Sequence, residues 1–155
     1  MMQLKPWMPL VLLAAAAGCG PSAAPPPPTA AGPDAEPPRI TVQHVLIAFR
    51  GAKDAPPEVT RSREEAGKFA RELLERVRQG EDIDLLSHNH STDPGGGKYT
   101  LVNSGRDPGP GEIRRSTFIK PFVDVAFKLK VGEAGIAEYD EKEAPYGWHV
   151  IKRLE

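Results

Sequence analysis

The stretch from Arg39 to Arg50 holds ITVQHVLIAF, a β-branched and apolar run that predicts a β-strand, with successive side chains on opposite faces. Val42, His44 and Leu46 fall on one face; Thr41, Gln43, Val45 and Ile47 fall on the other. After a Gly-, Asp- and Pro-containing loop over Gly51 to Thr60, the period lengthens. Ala66, Phe69, Ala70, Leu73, Leu74 and Val77 recur every three or four residues, which predicts an amphipathic helix with a solvated face of Arg, Glu and Lys. Ser62 with Glu65 forms a capping box at its start, and Gly80 stops it. Glu81 to His88 predicts a short second helix. Tyr99 to Val102, Ile136 to Tyr139 and Gly147 to Leu154 predict three further strands, separated by a Gly- and Pro-rich loop over Asn103 to Glu112 and a turn over Asp140 to Pro145. In the last strand His149 and Ile151 share one face; Trp148 and Val150 share the other.

Ser116 to Leu129 has too many aromatic and aliphatic residues for a surface loop. Pro121 marks a helix start, with Ser116 and Thr117 as capping candidates. Phe118 precedes the helix, Phe122 and Phe127 lie within it, and Phe122 shares a face with Val125 or Ala126. Taken alone, each phenylalanine reads as core.

The N-terminus follows another logic. Lys5 is the only charge in Met1 to Cys19, and Trp7 to Ala17 is an apolar run too short to span a bilayer of ~30 Å. Small residues leading to Gly18 and Cys19 make this an export signal that resembles a bacterial lipobox. The resemblance implies a signal peptide over 1–18, acyl chains on Cys19 and an outer-membrane address on the periplasmic side of the cell envelope. Residues 19–38 read as a disordered Pro/Ala-rich tether, and 39–155 as the folded domain.

The 155-residue chain is 39% hydrophobic with a formal net charge of −1, so it presents no basic field of the kind that binds nucleic acid. Its single cysteine excludes an intrachain disulfide. His88, His90 and Asp93 cluster in sequence, but His88 and His90 do not share a helix face and no further ligand pattern stands nearby, so no metal is expected. A histidine in the middle of each of two apolar strands remains, with an acid between them in sequence.

QHVLI at 43–47, TRSREEA at 60–66, HSTDPGG at 90–96, FIKPFVDVAFKLKVGE at 118–133 and GWHVIKR at 147–153 form an ordered set. As a set they resemble the parvulin family of peptidyl-prolyl isomerases across essentially all of 39–155. The resemblance implies an α+β fold with a four-stranded antiparallel sheet surrounded by helices. It implies that His44 and His149 are the paired histidines, and that Asp93 stands at the position that is Cys or Asp in different members. It further implies that Phe118 and Phe122 wall the proline pocket, with Tyr99 near the place of a pocket Leu and Ser91 also contacting substrate. Phe118 stands where Met is common. The implied function is isomerisation of X-Pro bonds in unfolded or exported polypeptides by a monomer that needs no cofactor. The alternative is a parvulin-like peptide-binding chaperone or adaptor without efficient turnover.

The chemistry suits these residues. Rotation about a peptide bond meets a barrier of ~18–20 kcal/mol, and X-Pro bonds exchange over tens to hundreds of seconds. No bond is made or broken, so a site that binds the twisted amide more tightly than either planar form is sufficient. An apolar pocket would hold the proline ring. Asp93 would act electrostatically on the amide or tune the histidines, and His44 and His149 would support the sheet.

Overall fold

The computed structural model describes residues 36–155. The expected signal peptide, Cys19 and most of the expected tether lie outside the described residues. Glu36 to Pro38, placed at the end of that tether by composition, are instead held on the domain. Asn103 donates its backbone N–H to Pro38 O at 3.0 Å and its side-chain amide to Pro37 O at 3.0 Å, and Arg115 pairs with Glu36.

The elements are β1 (Arg39–Ile47), α1 (Arg63–Arg78), α2 (Ile83–His90), β2 (Lys98–Val102), β3 (Glu112–Arg114), α3 (Lys120–Ala126), β4 (Ala134–Ala137) and β5 (Trp148–Arg153). They form one sheet in the order β3-β2-β1-β5-β4. The α+β architecture is as expected, but the sheet has five strands rather than four and is mixed. β3 adds to the edge in parallel with β2, through Thr100↔Glu112, Leu101↔Ile113 and Val102↔Arg114. The other pairings are antiparallel. β3 is only three residues long, so it offers too little alternation to stand out from the Gly- and Pro-rich segment before it. A salt bridge from Arg39 to Glu112 at 2.7 Å ties it across β2 to the start of β1.

β1 lies at the centre and is covered on both faces. Val45 and Ile47, with Val150 and Trp148 of β5, pack under α1 through Ala66, Ala70, Leu73, Leu74 and Val77. The opposite face carries Ile40, Val42, Leu101 and Ile151 against Phe122, Val123, Ala126 and Phe127 of the α3 segment. Each burial of a side chain such as Phe122 removes apolar area from water at ~25 cal/mol per Å².

The capping box of α1 is formed: Ser62 Oγ accepts from Glu65 N at 3.2 Å and Glu65 Oε2 accepts from Ser62 N at 2.7 Å. Phe69, expected within the buried stripe, is only partly buried; Arg61 lies 5.3 Å over its ring and His90 meets it edge-on at 5.3 Å. α3 begins as the sequence suggests, with Pro121 in its first turn, but Ser116 and Thr117 do not cap it. They belong to a single 3₁₀ turn, and the N-cap is Ile119, which makes no side-chain capping bond. β4 runs two residues earlier than expected, because the backbone turn at Lys130–Glu133 closes onto β5 through Gly132 N–H to Arg153 O at 2.8 Å.

Candidate active site

The site lies on the α3 face of the sheet, at the end where β1 and β2 part. β2 pairs with β1 only as far as Gln43, while β5 continues along the other edge from Val42 to Ile47. The backbone groups of His44 and Leu46 on the vacated edge would be unsatisfied without other partners. The end of α2 and the strap 91–97 supply them. His44 N–H donates to Gly97 O at 2.8 Å, and His44 O accepts from Ser87 Oγ at 3.0 Å. Leu46 N–H donates to Ser91 Oγ at 3.0 Å, and Leu46 O accepts from Thr92 N at 2.9 Å and Thr92 Oγ1 at 3.1 Å. Gln43, fully buried, adds a bond to Gly96 O at 2.9 Å. The strap thus stands in for the missing strand and fixes the segment that carries His44. Gly97 makes this closeness possible: its φ is +75°, and a Cβ there would lie 2.3 Å from His44 O.

His44 and His149 occupy adjacent strands in offset register, His44 opposite Ile151 and Leu46 opposite His149. Their Nδ1 atoms are 3.3 Å apart and their rings are stacked at 5.3 Å. Both are buried. Burial, and then the neighbouring His44, push His149 down to about 3, so it is neutral near pH 7. Among the described residues, its buried Nε2 has no hydrogen-bond partner. His44 Nε2 lies 2.8 Å from Asp93 Oδ2, and an Nε2–H directed there leaves the Nδ1 of a neutral His44 to accept from His149 Nδ1–H.

Asp93 is the polar hub. Oδ2 also accepts from the Tyr99 hydroxyl at 2.8 Å, and Oδ1 accepts from Gly95 N at 2.9 Å. The hydrogen bond from His44 chiefly holds the Asp93 carboxyl well below the ordinary carboxylate range; burial opposes it, and the Gly95 and Tyr99 donors reinforce it. Burial first, and then the Asp93 anion, push Tyr99 up to about 12.

The apolar wall adjoins this hub. Phe118 stacks on Phe122 at 5.1 Å, and Tyr99 meets Phe118 edge-on at 5.1 Å. The edge of Phe122 meets His44 at 5.1 Å and His149 at 5.5 Å. Phe122 is 1% exposed and forms the floor, whereas Phe118 is only partly buried and stands as a side wall. Together they border a solvent-open cleft of about 390 Å³.

His44, Asp93, His149, Tyr99, Phe118 and Phe122 therefore come together around one cleft, although they span four strands and helices and two loops in sequence. Ser91 does not line it; its hydroxyl accepts from Leu46 N and from Asp93 N at 3.2 Å, and so braces the strap. Sequence reasoning missed Lys53 and Asp54 at the rim, Tyr146 and Ile119 in the lining, and the supporting Ser87, Thr92 and Gln43. The signal for Lys53 and Tyr146 was faint, since both lie in turns; Lys53 Nζ sits 5.0 Å over the Tyr146 ring. Among the described residues, no three His, Cys, Asp or Glu side chains converge as a metal site.

The sequence profile of the PPIC-type PPIase domain matches residues 32–155. The chain belongs to this family, the parvulins. Its relatives include Foldase protein PrsA of Geobacillus kaustophilus, 31% identical over 118 residues that make up 74% of this chain and 31% of that protein. Chaperone SurA of Pseudomonas fluorescens is 30% identical over 115 residues, 74% of this chain and 22% of that protein. Peptidyl-prolyl cis-trans isomerase pin1 of Schizosaccharomyces pombe is 30% identical over 125 residues, 75% of this chain and 62% of that protein. The chain thus spans about a third or less of the foldase and chaperone relatives. The solved structure of peptidyl-prolyl isomerase ESS1 from Candida albicans shares the fold, with a TM-score of 0.59 at 23% identity over 76% of this chain and 63% of that one.

Proposed function

We propose that the parvulin domain isomerises X-Pro bonds by non-covalent stabilisation of the twisted amide in the Phe118–Asp93 cleft. The observation that carries this reading is the junction of the Phe118–Phe122 stack with the His44–Asp93 pair at one solvent-open cleft. The proline ring fills the corner made by Phe118, Tyr99 and Phe122 and displaces water from it. A planar amide carries partial negative charge on its carbonyl oxygen, and twisting withdraws that charge as resonance is lost. The Asp93 anion, facing the oxygen, therefore penalises the planar form more than the twisted one. The benefit is differential, as catalysis requires. His44 holds the carboxylate, and neutral His149 supports His44 from behind. Neither histidine transfers a proton, because the reaction moves none.

Exchange NMR on an X-Pro peptide tests the reading. Cis–trans exchange broadening at low protein concentration is the expected result, with Phe118→Ala abolishing most of it. Chemical-shift changes without exchange would overturn the isomerase reading in favour of a peptide-binding chaperone.

We further infer that the clients are exported polypeptides, met in the cell envelope by a domain anchored through lipidated Cys19. The layout of residues 1–19 and the relatives named foldase and chaperone support this. Labelled fatty acid incorporated by the native chain but not by Cys19→Ser is the expected outcome; label retained in the variant excludes that anchor.

A further inference from the structure

Tyr99 does two things at once. Its ring forms part of the cleft wall, 5.1 Å from Phe118 and 5.6 Å from His44. Its hydroxyl donates to Asp93 Oδ2, the same oxygen that faces His44 Nε2, both at 2.8 Å. A pocket needs only the ring; a leucine or phenylalanine would line it as well. The hydroxyl is an addition with a polar purpose, and the backbone is built to admit it. A Cβ on Gly95 would stand 2.3 Å from the Tyr99 hydroxyl oxygen, so the glycine leaves a notch that the hydroxyl fills. Gly95 N–H meanwhile holds the other carboxylate oxygen.

We propose that the Tyr99 hydroxyl, seated in the Gly95 notch, is a positioning group that clamps Asp93 Oδ2 against His44 and so fixes the direction in which the carboxylate faces the cleft. This rests on the isomerase reading above for its consequence, though not for its geometry. With the hydroxyl, three donors on three different elements grip Asp93: His44 from β1, Tyr99 from β2 and Gly95 from the strap. Without it, two donors remain, His44 on Oδ2 and Gly95 N–H on Oδ1, and the carboxylate is held less firmly against rotation about its Cβ–Cγ bond. Because the Tyr99 ring stays in place, proline binding is retained while the electrostatic alignment is lost. The chemical step suffers and the binding step does not.

The test is a double-mutant cycle of Tyr99→Phe and Gly95→Ala in the whole chain, read in two ways. Exchange NMR with an X-Pro peptide yields kcat and KM. Tyr99→Phe is expected to lower kcat about tenfold or more, the scale of one hydrogen bond to a charged group, with KM within about twofold. Gly95→Ala, which leaves the hydroxyl present but evicts it, is expected to do the same; in the Tyr99→Phe background it is expected to add little, because the notch is then vacant. The second reading needs no turnover: the proton resonance of the His44 Nε2–H is expected to move in both single variants as its acceptor ceases to be shared. An unmoved His44 resonance, a kcat kept with KM raised, or additive losses in the double variant would overturn the proposal. If the native protein shows no exchange at all, the isomerase reading fails, and the His44 resonance still decides whether the clamp exists.

Discussion

Asp93 and His149 do not touch but are joined through His44, which meets the acid at 2.8 Å and the second imidazole at 3.3 Å. An anion at one end of this chain and a buried neutral ring at the other make it polar along its length. Its consequences for acid stability are calculable.

His149 has a folded value near 3 against an ordinary 6.5, because burial disfavours its cation. The unfolded state therefore binds a proton that the folded state refuses, and stability present above about pH 6.5 is lost as pH falls toward 3. Denaturant midpoints between pH 7 and 4 are expected to fall, with a slope of order 1 kcal/mol per pH unit from this group. His149→Gln is expected to flatten that slope while lowering stability at pH 7. Asp93, whose folded value is depressed, adds a further loss only below about pH 4.

Asp93→Asn removes the anion and keeps the size. We expect kcat to drop at least about tenfold. Tyr99 is expected to ionise at a lower pH than its present value near 12, but to stay above an exposed tyrosine because burial is the larger cause of its shift. Ultraviolet titration of the phenol in the variant checks this.

Phe118 and Phe122 should part company on truncation. Phe122→Ala empties the floor of the core and is expected to cost about 3–5 kcal/mol of stability. Phe118→Ala trims a partly buried wall; it is expected to cost less than half of that and to raise KM strongly. Paired denaturation and exchange measurements separate the two.

Gly97→Ala is expected to harm both stability and turnover. The new Cβ meets His44 O at 2.3 Å on a backbone with positive φ, so the strap must lift from β1. We expect a loss of more than about 2 kcal/mol and displaced His44 signals, seen by denaturation and NMR.

Most of this arrangement could be read in the chain. Apolar, β-branched runs locate β1 and β5 and the period-3.6 pattern locates α1, and a histidine on each apolar strand face points to a pairing that the β1–β5 ladder realises. The Phe118–Phe122 wall is legible only through the family resemblance of the KPF segment, since each phenylalanine taken alone reads as core. What escaped was governed by contacts distant in sequence. β3 exists because β2 offers it an edge, not because EIR is a strong strand former. Ser87 and Thr92 read as ordinary helix and loop polars, and Ser91 as a substrate contact; their bracing task emerges only once β2 has left β1 and the backbone groups of β1 want partners. Lys53 and Tyr146 share the rim because two turns approach one another: Lys53 N–H donates to Pro145 O at 3.0 Å.

The seam between β1 and β5 joins stretches of chain about a hundred positions apart, His44 and His149 among them. Such long-range closure is slow to form and cannot be approximated by a half-folded intermediate. A ribosome-bound fragment stopping short of Trp148 has neither the second imidazole nor the strand that seats it. Turnover would thus report on maturation itself: a cleft of this design is complete only after the chain has finished its own folding.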